Sequence, residues 1–115
     1  MNYNIADNNG IKIFYFNEIK LDTSCSGLLK AELTSLISNG DFRDLIVDLS
    51  KIEICDSSGL SVLLVANRLI SAKEGNLVFV TGSPKMIQLI QITRLNKVLT
   101  IAGSVEEAIL LIKEK

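Results

Sequence analysis

The chain of 115 residues contains no histidine and no tryptophan, one proline and two cysteines. Without histidine it can build no Ser-His-Asp or Cys-His pair and no imidazole-ligated metal centre from its own side chains. No metal and no cofactor is expected. Cys25 and Cys55 lie far apart in sequence, each in an apolar context. They read as small core hydrophobes rather than a disulfide or a metal pair. Charge of either sign is not in excess: 12 Lys and Arg stand against 13 Asp and Glu, for a net charge of −1. No basic run offers a nucleic-acid footprint, and no acidic tail suggests disorder. No stretch approaches the roughly 18 uninterrupted apolar residues of a membrane span. The opening Met1-Asn-Tyr-Asn-Ile-Ala-Asp7 lacks the basic and apolar segments of a secretory signal, so a cytoplasmic protein is expected.

What is present is enough apolar matter, 48% of residues, to bury one core within a single domain over 1–115. Asn4–Asp7 and Ile11–Phe16 are strand-like and flank Asn8-Asn9-Gly10, a hairpin signal. A short extended piece follows at Ile19–Leu21. Asp22, Thr23 and Ser24 are N-cap candidates for a first helix, along which Cys25, Leu29, Leu33 and Leu36 recur at helical spacing until Asn39-Gly40. Asp44–Leu49 is short, β-branched and bounded by polar residues, as a buried strand should be. Leu60–Ile70 is long and periodic, which predicts a second helix ending at Lys73-Glu-Gly75. A strand at Leu77–Thr81 precedes a helix start at Ser83-Pro84. A last strand at Val98–Ile101 leads to Ser104-Val-Glu-Glu107, which has the form of a capping box. It opens a helix with Val105, Ala108, Ile109 and Ile112 on one face. This alternation predicts an α/β fold: a mixed sheet of four to five strands with a parallel centre and an antiparallel N-terminal hairpin, packed by about four helices.

Asp56-Ser57-Ser58-Gly59-Leu60 stands where a strand hands over to a helix. Free backbone N–H groups and the positive end of the helix dipole can accept an anion there, so a phosphate added to a serine would be held. Read from residues alone, a plain helix start leads, since Asp and Ser are favoured N-caps and Gly59 allows close backbone approach. A nucleophilic serine trails, because Asp56 is a poor base for a hydroxyl. At 100° per residue, Val62, Val65, Ala66, Leu69 and Ile70 share the side expected against the sheet. Ser57, Ser61, Leu64, Arg68 and Ser71 share the other, with Leu60 beside that row.

Leu45-Ile-Val-Asp-Leu-Ser-Lys-Ile-Glu-Ile-Cys-Asp-Ser-Ser-Gly-Leu60 resembles the signature segment of the STAS domain, in particular the anti-sigma factor antagonist family. The likeness extends to the Leu21-Asp22 step, the Gly75–Val80 strand, the helix after Ser83-Pro84 and the late Ser-Val-Glu-Glu-Ala helix. One departure is Ser61, where the family often has glycine. The resemblance implies a STAS-like domain without catalysis of its own. It would bind an anti-sigma factor that is also a serine kinase, and so release a sigma factor. Phosphorylation would end that binding until a PP2C-type phosphatase restores it. By motif position the acceptor is Ser57, with Ser58 the secondary candidate and the expected helix cap. The expected partner surface comprises Asp22, Asp56, Ser57, Ser58, Gly59, Leu60, Ser61, Leu64 and Arg68, with Leu60 and Leu64 as an apolar anchor. The alternative within the family is a STAS subunit of a lipid-transport ABC system or of a stressosome-type scaffold. Neither nucleic acid nor membrane insertion enters either role.

Overall fold

The computed structural model describes residues 1–114. Its elements run β1 (Tyr3–Asn8), β2 (Ile11–Phe16), β3 (Lys20–Leu21), α1 (Ser26–Asn39), β4 (Asp44–Asp48), β5 (Ile54–Cys55), α2 (Ser57–Ala72), β6 (Asn76–Val80), α3 (Pro84–Ile92), β7 (Thr100–Ala102) and α4 (Val105–Lys113). The hairpin forms where Asn-Gly predicts it. Asn9 and Gly10 take φ of 50° and 90°, the positive pair that a type I′ turn demands. β1 and β2 then pair antiparallel from Tyr3↔Phe16 to Asn8↔Ile11.

The main sheet has the order β1-β2-β4-β6-β7, and every pair after the hairpin is parallel. Alternation sends Phe14, Phe16, Leu45, Val47, Leu77 and Phe79 to one face, where they pack with residues of α1, α2 and α3. Ile11, Ile13, Ile46, Val78 and Val80 go to the other, under Ala108 and Ile112 of α4. Covering both faces makes the central strands continuous apolar runs. Each parallel strand leaves the sheet at its C-terminal edge, so all four helices begin at that same end.

A second, two-stranded sheet stands at that end. β3 pairs parallel with β5, with Lys20 opposite Ile54 and Leu21 opposite Cys55. β3 matches the expected extended piece; two residues of β5 carry no periodicity to read.

One helix start and one strand start differ from expectation. Asp22, Thr23 and Ser24 do not cap α1. The Cys25 side chain at its cap position makes no hydrogen bond to the first turn, while Asp22 accepts from the Ser24 N–H at 2.9 Å within its own turn. The last strand starts at Thr100 rather than Val98, because Leu95 O accepts from the Val98 and Leu99 N–H groups and withholds them from the ladder. The starts of α3 and α4 hold. Ser83 Oγ accepts from the Met86 N–H and Ser104 Oγ from the Glu107 N–H. The Glu107 carboxylate reaches back to the Gly103 N–H, one residue before the usual box position.

At the opposite end Lys73 ties two helices together. Its Nζ donates to the carbonyls of Ile37 and Gly40, each at 2.8 Å, beside the Phe42 ring. Glu74, not the glycine, takes the left-handed conformation after α2 (φ 59°). Gly75 is required instead by close approach, since a Cβ there would overlap the Arg43 carbonyl. Among the described residues no helix is long and apolar enough to cross a membrane.

Candidate functional site

The N-terminus of α2 lies at the end where all four helices start. Asp56 is its N-cap, extended at φ −117° and ψ −175°, and its carboxylate accepts from the N–H groups of Ser58 (2.9 Å) and Gly59 (3.3 Å). The Ser58 hydroxyl donates to the same oxygen, Asp56 Oδ1. Ser58 was the expected cap; the carboxylate takes that place because its oxygen accepts more strongly than a hydroxyl. Ser58 is thereby half-buried and tied. Ser57 is exposed, and its hydroxyl has no hydrogen-bond partner among the described residues.

The first-turn N–H groups expected to receive an anion are mostly occupied. Leu60 N–H donates to Asp56 O at 3.3 Å, besides the two held by the Asp56 side chain.

Electrostatics at this end are set by hydrogen bonds. The Ser58 hydroxyl, with the Gly59 and Ser58 N–H groups, holds the Asp56 carboxyl below the ordinary carboxylate range, against burial and the neighbouring Asp22 charge. The Ser24 hydroxyl and N–H do the same for Asp22. Both cysteines are free and half-buried rather than core residues. Burial foremost, then the Asp56 charge and Cys25, pushes the Cys55 thiol up to about 11. A thiol held so firmly protonated is a poor nucleophile.

The expected surface is brought together in part. Ser57, Ser61, Arg68 and Ser71 are exposed along one row of α2, and Ser61 Oγ donates to Ser57 O at 3.2 Å, closing back on the helix. Asp22 sits beside Asp56 at the end of the paired β3 and β5 strands. Leu60 is a correction. It is 4% exposed and belongs to the large core cluster that also holds Leu29 and Leu33 of α1, the helix that packs on α2. Leu64 is half-buried against the same cluster, so the pair is no free apolar anchor. Gly59 is buried too; a Cβ there would come within 2.6 Å of Leu21 Cγ and 2.9 Å of Leu21 O. Its role is to let α2 approach β3. On the sheet side, Val65 and Leu69 are half-buried while Leu63 is fully buried.

Two apolar residues at this end escaped sequence reading. Ile19 is 56% exposed and Ile54 48% exposed, on neighbouring backbones joined by Ile54 N–H to Ile19 O at 3.2 Å. An isolated isoleucine in a short extended piece carries no sign of which way it faces. An open surface hollow of about 850 Å³ lies at the opposite end among Asp7, Lys12, Leu36, Phe42 and Arg43. It is remote from the serines.

The STAS domain family model matches residues 2–108. An anti-sigma factor antagonist from Mycobacterium paratuberculosis superposes with a TM-score of 0.88 at 20% identity, over 97% of this chain and 93% of that one. The phosphorylated form of the Bacillus cell fate determinant SpoIIAA gives 0.70 at 22% identity, over 94% and 96%. A serine-to-glutamate variant of RsbS from Moorella thermoacetica gives 0.79 at 20% identity, over 99% and 97%. Identities this low establish a shared fold. With the family model spanning nearly the whole length, the chain belongs to the STAS domain family.

Proposed function

We propose that this protein is a cytoplasmic anti-sigma factor antagonist switched by phosphorylation of Ser57. One observation carries the reading. Of the two adjacent hydroxyls, Ser57 is exposed and unengaged, whereas Ser58 is half-buried and donates to the Asp56 cap. Only Ser57 can enter a kinase active site without dismantling the start of α2. The fold shared with antagonists, one of them a phosphorylated form, supports the same role.

In the forward step Ser57 Oγ attacks the γ-phosphorus of ATP. The Oγ–P bond forms, the bond to the bridging oxygen of ADP breaks, and the hydroxyl proton passes to a base on the kinase. In the reverse step water attacks phosphorus on a PP2C-type phosphatase. Inorganic phosphate leaves and the serine regains its proton. The protein supplies no catalytic group of its own.

The switch is electrostatic and steric. A phosphate adds about −1.5 to −2 charge near neutral pH, next to Asp56 and Asp22. The helix dipole lets the fold tolerate it. A partner packed over Asp22, Asp56, Ser57, Ser58, Ser61, Leu64 and Arg68 would have to desolvate a hydrated anion, and so releases. No large conformational change is needed.

The test is phosphate mapping by mass spectrometry on protein recovered from its own cells with phosphatase inhibitors, together with identification of what co-purifies. Phosphate on Ser57 and a serine-kinase ATPase partner support the reading. An unmodified Ser57 under varied growth, with a transporter or a scaffold assembly alongside, overturns it.

A further inference from the structure

We propose that Thr23 is a second phosphate acceptor for the kinase that acts on Ser57. This rests on Ser57 being an acceptor and extends that role to a second hydroxyl at the same end. Asp22-Thr23-Ser24 and Asp56-Ser57-Ser58 fold alike in side chain and backbone. In both, the aspartate carboxylate accepts the N–H of the serine two residues on at 2.9 Å, and that serine's hydroxyl on the same oxygen. In both, the aspartate carbonyl accepts from the N–H groups three and four residues on. The distances are 3.2 and 2.9 Å for Cys25 and Ser26, and 3.1 and 3.3 Å for Gly59 and Leu60. Thr23 therefore holds in the first turn the place that Ser57 holds in the second.

An exposed threonine is ordinary by itself. This one shares the two properties that single out Ser57: its side chain is exposed, and its hydroxyl has no hydrogen-bond partner among the described residues. Ser24 and Ser58 spend their hydroxyls on the aspartates. The two turns also stand side by side. They follow β3 and β5, whose parallel register sets Leu21 opposite Cys55, one residue before each aspartate. Neighbouring strands lie about 4.8 Å apart and packed helices about 8–10 Å, which brackets the separation of the two turns. A partner covers about 800 Å² of a protein, a patch about 30 Å across, so a kinase seated over Ser57 covers Thr23 as well.

In the transfer, Thr23 Oγ1 attacks the γ-phosphorus of ATP. The Oγ1–P bond forms, the bond to the bridging oxygen of ADP breaks, and the hydroxyl proton passes to a base on the kinase. A phosphate there lies next to Asp22, within the proposed partner surface, and bars the partner as one on Ser57 does. Two phosphates about 8 Å apart repel in water, so the doubly modified chain should be about tenfold scarcer than independent modification gives.

The experiment maps phosphate by mass spectrometry on wild type and Ser57→Ala from the protein's own cells, with phosphatase inhibitors present. Thr23, Ser24 and Ser26 are resolved within the tryptic fragment 21–30, bounded by Lys20 and Lys30. Phosphate is expected on Thr23 in both proteins, at least tenfold above Ser24, and at background in Thr23→Val. Melting curves establish that the variants fold; should one fail, wild type alone carries the comparison of Thr23 with Ser24. Phosphate on Ser57 with Thr23 bare in both proteins overturns this inference and leaves Ser57 as acceptor. Phosphate spread evenly over Thr23, Ser24 and Ser26 overturns it too. Absence of phosphate from wild-type Ser57 overturns the acceptor assignment, and the inference with it.

Discussion

Asp22 and Asp56 end neighbouring parallel strands and build the same turn twice. Each carboxylate accepts, on one oxygen, both the N–H and the hydroxyl of the serine two residues on: Ser24 for Asp22 and Ser58 for Asp56. The strand register that sets Leu21 opposite Cys55 brings the two turns side by side. Each hydroxyl so engaged is spent on local structure. The residue between is left free, and in the α2 turn that residue is Ser57.

Ser57→Ala should therefore leave stability within about 0.5 kcal/mol of wild type, as for an exposed side chain without partners. It should abolish phosphate labelling at position 57. Ser58→Ala should lower the melting temperature while Ser57 is still labelled. Thermal melts and phosphate mapping on the two variants check this.

Ser57→Asp should weaken kinase binding by about 30-fold or more, the range for setting an unpaired charge inside an interface. Calorimetric titration against the purified kinase partner reads the change. Equal affinity of Ser57→Asp and wild type would remove the electrostatic mechanism.

The Asp56 carboxyl titrates below its ordinary 3.8 in the folded chain, as Asp22 does. Groups shifted this way contribute stability that is complete above the unfolded value and is lost as pH falls through the folded one. Stability should decline on acidification below about pH 4, and Asp56→Asn should flatten that decline. Asp22→Asn removes a like charge and should lower the Asp56 pKa further. Carboxyl titration by nuclear magnetic resonance measures both.

Gly59→Ala should destabilise by about 1–3 kcal/mol, the usual cost of forcing extra volume into packed surroundings. The new methyl would press on both the side chain and the backbone of Leu21. Denaturant unfolding checks the magnitude.

Lys73→Met keeps the aliphatic stem but removes the ammonium that holds the Ile37 and Gly40 carbonyls. A loss of about 1.5–3 kcal/mol is expected, typical of hydrogen bonds to a charged group. The Ser57 end of the molecule should be untouched, so any labelling of Ser57 persists.

Local rules wrote much of this protein directly into its sequence. Asn9-Gly10 specified the hairpin through positive φ. Ser83-Pro84 and Ser104-Val-Glu-Glu107 specified helix starts through capping, and the alternation of apolar strands with periodic helices specified a parallel sheet. Asp56-Ser57-Ser58 marked the site for the same reason, since N-caps act over three or four residues. What needed the tertiary structure depends on partners distant in the chain. Leu60 lies only 60° around α2 from Ser57, yet it is buried in a core cluster shared with Leu29 and Leu33 of α1. β5 exists because Ile19 and Leu21 offer it backbone carbonyls, and that pairing leaves Ile54 facing out. Periodicity along one helix cannot report what packs beside it, and two residues are too few to show a period. Local capping determined where most of the helices begin and, through Asp56 two residues away, which serine hydroxyl is engaged; long-range packing decided which apolar residues are buried and which reach the surface beside it.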